Sequence, residues 1–220
     1  MPIRKDYKRY WRNRKISSIP SSLEISWKSS NIACNSYILD IGCGNADFLR
    51  SLEKEGYTNL YGIDLNTSFD NHKDEKSCIH LYTQDASRML FPNKMFDVAV
   101  MKALLTVVVS DYSIYKIFKE AYRVLKPGGI LIIKDFFQNW HLELYRRRYL
   151  SNMNYIQHNK CVFPVYNTNG ELRYYARHFN TQDLSIMLVK IGFIIENIAF
   201  EKVKTQSGNE VIGFTISAKR

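Results

Sequence analysis

Cysteine and histidine are scarce here: four and five in 220 residues. Cys34, Cys43, Cys78 and Cys161 stand at no metal-ligand spacing and form no Cys-x-x-Cys pair. Neither a zinc site nor a dithiol redox motif is indicated. The reading is four reduced thiols in a cytoplasmic protein without a metal. No 18-residue stretch is free of charge, which argues against a membrane-spanning helix and a membrane partner. The basic start, 1–15, has no apolar run after it, so it does not read as a secretory signal. Internal repeats and low-complexity tracts are missing too. Acidic residues are outnumbered, 21 against 31 lysines and arginines, giving a net charge of +10. That excess fits an anionic partner such as RNA or an acidic metabolite. It fits equally well the Lys-, Asn- and Ile-rich usage of an AT-rich genome.

What is present divides into two parts. Residues 1–36 form a basic, aromatic leader in which Tyr10 and Trp11 lie among arginines and lysines. From residue 37 apolar runs alternate with amphipathic stretches. Strands are expected at 37–41, 60–63, 79–82, 96–101 and 130–133, the fourth apolar enough to be buried on both faces. Helices are expected at 46–54, at 112–125, and from an N-cap at Thr181 to about 191. Lys126-Pro127-Gly128-Gly129 reads as a helix stop followed by a turn. Two closing strands, 193–199 and 211–217, have only a short polar loop between them and so should pair antiparallel. The pattern predicts an α/β, three-layer Rossmann-like fold: a mostly parallel seven-stranded sheet with an antiparallel last strand. A single domain would occupy 37–220, with an aromatic, substrate-covering insertion after strand five at about 136–178, and 1–36 would be a lid segment. The insertion's second half, 161–176, reads as a hairpin on an Asn169-Gly170 turn.

The informative stretch is Leu39-Asp40-Ile41-Gly42-Cys43-Gly44-Asn45-Ala46, where a strand ends, a glycine loop follows and a helix begins. Ligands of open parallel sheets bind outside the carboxyl ends of the strands, at the switch point. Asp64 follows Gly44 by 20 residues and ends the second strand, where an acid can accept from a ribose diol. The dinucleotide fingerprint fails, because Asp47 stands where Gly-x-Gly-x-x-Gly needs its third glycine. A carboxylate at a helix N-terminus repels a pyrophosphate. The ligand should therefore carry a ribose but no diphosphate, and Asp40 suits a cationic group. S-adenosylmethionine meets these conditions. Asp40 also reads as a loop cap, Asp85 as a turn cap, and Cys43 as a small packed residue with no base beside it.

On these residues the chain resembles the class I S-adenosylmethionine-dependent methyltransferases, of the methyltransferase type 11 kind. The glycine motif at 39–44, the ribose acid Asp64, Asp85-Ala86, the fourth strand and Leu125–Gly129 all occur in the family's order. Ala46 departs from it, since a third glycine is usual there; alanine adds only one methyl, so cofactor binding is expected to survive. The resemblance implies that Gly42, Cys43 and Gly44 line the methionine moiety. It implies Asp64 and Leu65 at the ribose, Asp85 and Ala86 at the adenine, and Met101 beside the cofactor. Lys102, after the fourth strand, would point away from the sulfonium or toward an anionic substrate group.

On the acceptor side the candidates are His178 and His141 as general bases, and Arg177 as an anion clamp. Tyr10 and Trp11 are candidates for a lid, and Phe137, Tyr145 and Tyr175 for aromatic pocket walls. The expectation is in-line methyl transfer to nitrogen or oxygen of a small-molecule acceptor, anionic or aromatic, by a monomer or homodimer. The alternative is RNA methylation, using the leader and Arg146-Arg147-Arg148 on phosphates. For that reading, residues 172–184 resemble the corresponding part of tRNA wobble-uridine methyltransferases.

Overall fold

The computed structural model describes residues 10–12, 23, 25, 32–66, 77–151, 160–205 and 208–220. The basic positions 4–9 and 14–15 of the leader, and Ser207 of the closing loop, lie outside these. Strand β1 (Tyr37–Ile41) leads through the glycine loop into helix α1 (Asp47–Lys54), followed by β2 (Asn59–Asp64) and β3 (Ile79–Thr83). Then come β4 (Phe96–Lys102), a short 3-10 turn (Leu105–Val107), α2 (Asp111–Val124) and β5 (Leu125–Phe136). The insertion contributes α3 (Glu143–Leu150), β6 (Cys161–Tyr166) and β7 (Leu172–His178). Helix α4 (Thr181–Ile191), β8 (Ile194–Lys204) and β9 (Glu210–Lys219) close the sheet.

The seven-stranded sheet has the order β3-β2-β1-β4-β5-β9-β8. Strands β1 to β5 pair in parallel, and β9 runs antiparallel to both β5 and β8. The chain leaves β1 for one edge and returns at β4, so the switch point lies between the carboxyl ends of β1 and β4. Alternation of side chains divides the core. Leu39, Ile41, Met101 and Ile133 face α2 and α4. Ile38, Val98 and Val100 face α1, whose Phe48, Leu49 and Leu52 complete that layer.

Helix α2 forms because its buried Ile114, Ile117, Phe118, Ala121 and Val124 recur at helical spacing and Ser110 caps it, its hydroxyl accepting from the Ser113 amide. Thr181 was expected to cap α4. The cap is Asn180, whose side chain accepts from the Gln182 amide at 2.9 Å. Strand β5 runs past the expected 133 because its two polar residues are satisfied. Lys134 ion-pairs with Glu201 at 2.6 Å, and Asp135 accepts from the Thr106 and Phe136 amides. The expected hairpin is β6–β7, turning through Gly170 at φ +78°, with Asn167 Oδ1 accepting from the amides of Asn169 and Glu171.

Candidate active site

Where β1 ends, Gly42 takes φ +81°, a region side chains disfavour, and a Cβ there would stand 2.8 Å from Leu104 Cδ1. The amides of Gly42 and Cys43 both donate to the Ile63 carbonyl, at 2.7 and 3.0 Å, tying the loop to the end of β2. Asp64 reinforces this, its two oxygens accepting from the amides of Gly44 and Asn66 at 3.0 Å each. A carboxylate offers about four lone-pair positions, so acceptor capacity remains for a ribose diol. Burial raises the Asp64 carboxyl above its usual range, against three backbone donors that lower it.

Asp40 is the most informative group in the molecule. It is 2% exposed, and its Oδ1 has no hydrogen-bond partner among the described residues. Burial pushes its carboxyl up to about 7, opposed by the Lys102 ammonium and assisted by Asp64. A buried carboxylate oxygen left unmatched is costly unless a ligand completes it. The ammonium of S-adenosylmethionine is a donor of the right charge, so the residues fit this cofactor.

The pocket gathers most of the expected cofactor residues. Gly42, Cys43 and Gly44 line it, with Asp40, Asp64 and Asp85. Leu65, Ala86, Lys102 and Trp11 line it as well. Asp85 Oδ1 accepts from both the amide and the hydroxyl of Ser87, at 2.9 and 2.8 Å, so it caps its turn while lining the pocket. Burial, with Asp40 next in effect, raises the Cys43 thiol, consistent with a packed residue rather than a nucleophile. Tyr10 and Trp11 pack on Tyr174, at ring distances of 5.5 and 5.2 Å, so the leader meets the insertion beside the pocket.

Sequence reasoning missed the wall formed by Phe48, Leu104, Val107 and Val108. Its signal was the apolar run Leu104-Leu105-Thr106-Val107-Val108 directly after β4, which had no assigned element. It also mistook what Ala46 costs. Ala46 sits at φ +62°, and Ala103, on the opposite wall, at φ +53°. Both are alanines in a left-handed conformation that costs about 1 kcal/mol each. Backbone strain, not methyl volume, is the consequence of replacing the glycine.

The remaining expected residues are not brought to this pocket. Met101 points to the opposite sheet face and is buried in the main core. His178 is 3% exposed, and its Nδ1 meets the Tyr149 hydroxyl at 2.6 Å. That hydroxyl also accepts from the Asn139 amide at 3.1 Å. Burial and then the nearby Arg148 lower the His178 imidazole to about 3, which keeps it neutral and enclosed. Tyr145 packs with Tyr149 and Phe163 in the same small core. Phe137 packs on Phe200, Tyr175 lies opposite Pro164 in the hairpin, and His141 is exposed. Arg177 is buried and ion-paired with Asp111 at 2.5 Å, with its guanidinium over Phe179. For Tyr145, His178 and Arg177 the physical reason is shared: each finds its partners within the insertion and the elements that support it. Among the described residues no cluster of metal-ligating side chains occurs.

Comparison with known proteins agrees with this geometry. A family described as "Methyltransferase domain" matches residues 39–133. The chain is 28% identical over 183 residues to a ubiquinone/menaquinone biosynthesis C-methyltransferase of Nitrosospira multiformis, covering 74% of this chain and 69% of that one. It is 28% identical over 204 residues to a demethylmenaquinone methyltransferase of a Geobacillus species, covering 86% of each. A solved S-adenosylmethionine-dependent methyltransferase from Methanosarcina mazei has a TM-score of 0.80 at 31% identity, over 90% of this chain and 98% of that one. A likeness at 31% identity that covers 98% of a solved protein leaves one assignment: the chain belongs to the S-adenosylmethionine-dependent methyltransferases.

Proposed function

We propose that the protein methylates a small, largely apolar or amphiphilic molecule, taken up at the mouth of the cofactor pocket beside Trp11 and Phe48. Bound S-adenosylmethionine supplies an activated methyl group on its sulfonium. The chain's part is to hold that reagent through Asp40 and Asp64, and to exclude water behind Trp11, Leu104 and Val107. Among the described residues that line the pocket there is no histidine or tyrosine, and the carboxylates are Asp40 and Asp64, which serve the cofactor, with Asp85 and Asp47. The acceptor must then arrive with its nucleophile ready or lose its proton to solvent.

The observation that carries the small-molecule reading is the fate of the arginine run. Arg146 and Arg147 both pair with Glu143, and Arg148 lies over the rings of Tyr145 and Phe163. Pairing with Glu143 offsets part of the run's charge and Arg148 stacks on rings of the insertion, which makes the run a weaker phosphate-binding stripe than three free arginines. Two of the relatives named above support the small-molecule reading, one named for ubiquinone/menaquinone biosynthesis and the other for demethylmenaquinone. The Tyr10–Trp11 segment acts as a lid in this reading, supported by its contacts with Tyr174. A reducing, cytoplasmic setting is supported by four free cysteines, and no described helix is long and apolar enough to cross a membrane. Incubating the protein with methyl-labelled S-adenosylmethionine and a cell extract tests the proposal. Label should enter the organic-extractable small-molecule fraction. Label confined to RNA would overturn it.

A further inference from the structure

Among the described residues, Lys102 is a lone cation in a pocket whose other charged side chains are all carboxylates. A cofactor carrying a sulfonium gives no obvious reason for a positive side chain, because like charges repel in so confined a space. The cofactor does carry one anion, the carboxylate of its amino-acid end.

Position connects the two. Asp40 is in register with Val100, so strand alternation puts Lys102 on the same sheet face as Asp40, one step nearer the carboxyl edge. That face is the one covered by α1. Lys102 Nζ lies 5.9 Å from the centroid of the Phe48 ring, in the first turn of α1. The ammonium therefore leans toward the glycine loop, where Gly42 to Gly44 floor the amino-acid end, and away from the adenine side at Asp85 and Ala86. No ion pair holds Lys102 among the described residues. An ammonium and a carboxylate on one α-carbon are matched by a carboxylate and an ammonium side by side, which is what Asp40 and Lys102 present.

We propose that Lys102 binds the α-carboxylate of S-adenosylmethionine, so that Asp40 and Lys102 together read the zwitterionic end of the cofactor. The pair makes the pocket selective for the complete amino-acid tail over nucleosides that lack it. It rests on S-adenosylmethionine as the cofactor.

Calorimetric titration of the wild type and Lys102→Met with two ligands tests this. S-adenosylhomocysteine has the amino-acid end, and 5′-methylthioadenosine keeps the nucleoside and thioether without it. Lys102→Met should bind S-adenosylhomocysteine at least about tenfold more weakly, the range for a lost charge-assisted hydrogen bond. Its affinity for 5′-methylthioadenosine should stay within about twofold, which also shows that the variant is folded. Unchanged affinity for S-adenosylhomocysteine, or an equal loss for both ligands, would overturn the proposal. A wild type that bound neither ligand would overturn the cofactor premise itself.

Discussion

Two buried ionisable groups, Asp40 and His178, sit in opposite situations. Asp40 at the end of β1 is enclosed, lines the pocket, and has one oxygen with no hydrogen-bond partner among the described residues. His178 at the end of β7 is enclosed with its Nδ1 matched by the Tyr149 hydroxyl, inside a cluster of rings. The first is unfinished without a ligand and the second is complete without one. Burial of a titratable group therefore does not mark a site by itself; an unsatisfied polar atom in a residue that lines a cavity does. The β1–β4 edge is built to receive a molecule, and the insertion is built to hold itself together.

The largest expected effect bears on the first region. Asp64→Ala removes the ribose acceptor and frees the Gly44 and Asn66 amides together. It should weaken S-adenosylhomocysteine binding by about 2–3 kcal/mol, measured by calorimetry. The converse change is Tyr149→Phe, which leaves His178 Nδ1 and the Asn139 amide unmatched. It should cost about 2 kcal/mol of stability in urea unfolding, while S-adenosylhomocysteine affinity stays within about twofold. A large loss of affinity would place His178 in the site after all and break the contrast.

The same contrast has a pH signature. The free protein's Asp40 titrates at about 7, and only its ionised form attracts an ammonium. Affinity for S-adenosylhomocysteine should fall as pH drops below 7, by up to about tenfold per unit, and the slope should vanish in Asp40→Asn. Stability of the free protein runs the other way. Asp40 and Asp135 both titrate at about 7 when folded, above the ordinary 3.8 of an aspartate. The folded state therefore holds protons that the unfolded state has lost, and stability falls as pH rises from about 4 through 7. A thermal melt series with and without ligand separates the two trends. The smallest effect is Ala46→Gly. Relief of the left-handed strain outweighs the glycine's added unfolded-state entropy, for a net gain of about 0.5 kcal/mol, read by the same melts with binding retained.

Much of the cofactor half was legible because its signals are local: a strand, a glycine loop, and acids at strand ends. The seven strands follow from that alternation, and their order comes from the structure. The insertion's second half was legible as a hairpin, but not the direction its side chains face. Tyr145 and His178 serve equally well as pocket wall or as core, and only tertiary contacts decide between them. Strand β5 was cut short because Lys134 and Asp135 interrupt an apolar run, and their partners, Glu201 and the Thr106 amide, lie 67 and 29 residues away. The strain at Ala46 was visible as a departure from a glycine pattern but was weighed as volume instead of backbone angle.

The central claim is that this pocket is completed by a ligand with a ribose and a zwitterionic amino-acid end but no diphosphate. Titrating the wild-type protein with S-adenosylhomocysteine, in parallel with NAD, tests it most directly. The account predicts saturable one-to-one binding of S-adenosylhomocysteine and none of NAD. Binding of NAD, or a flat titration with S-adenosylhomocysteine, would contradict it.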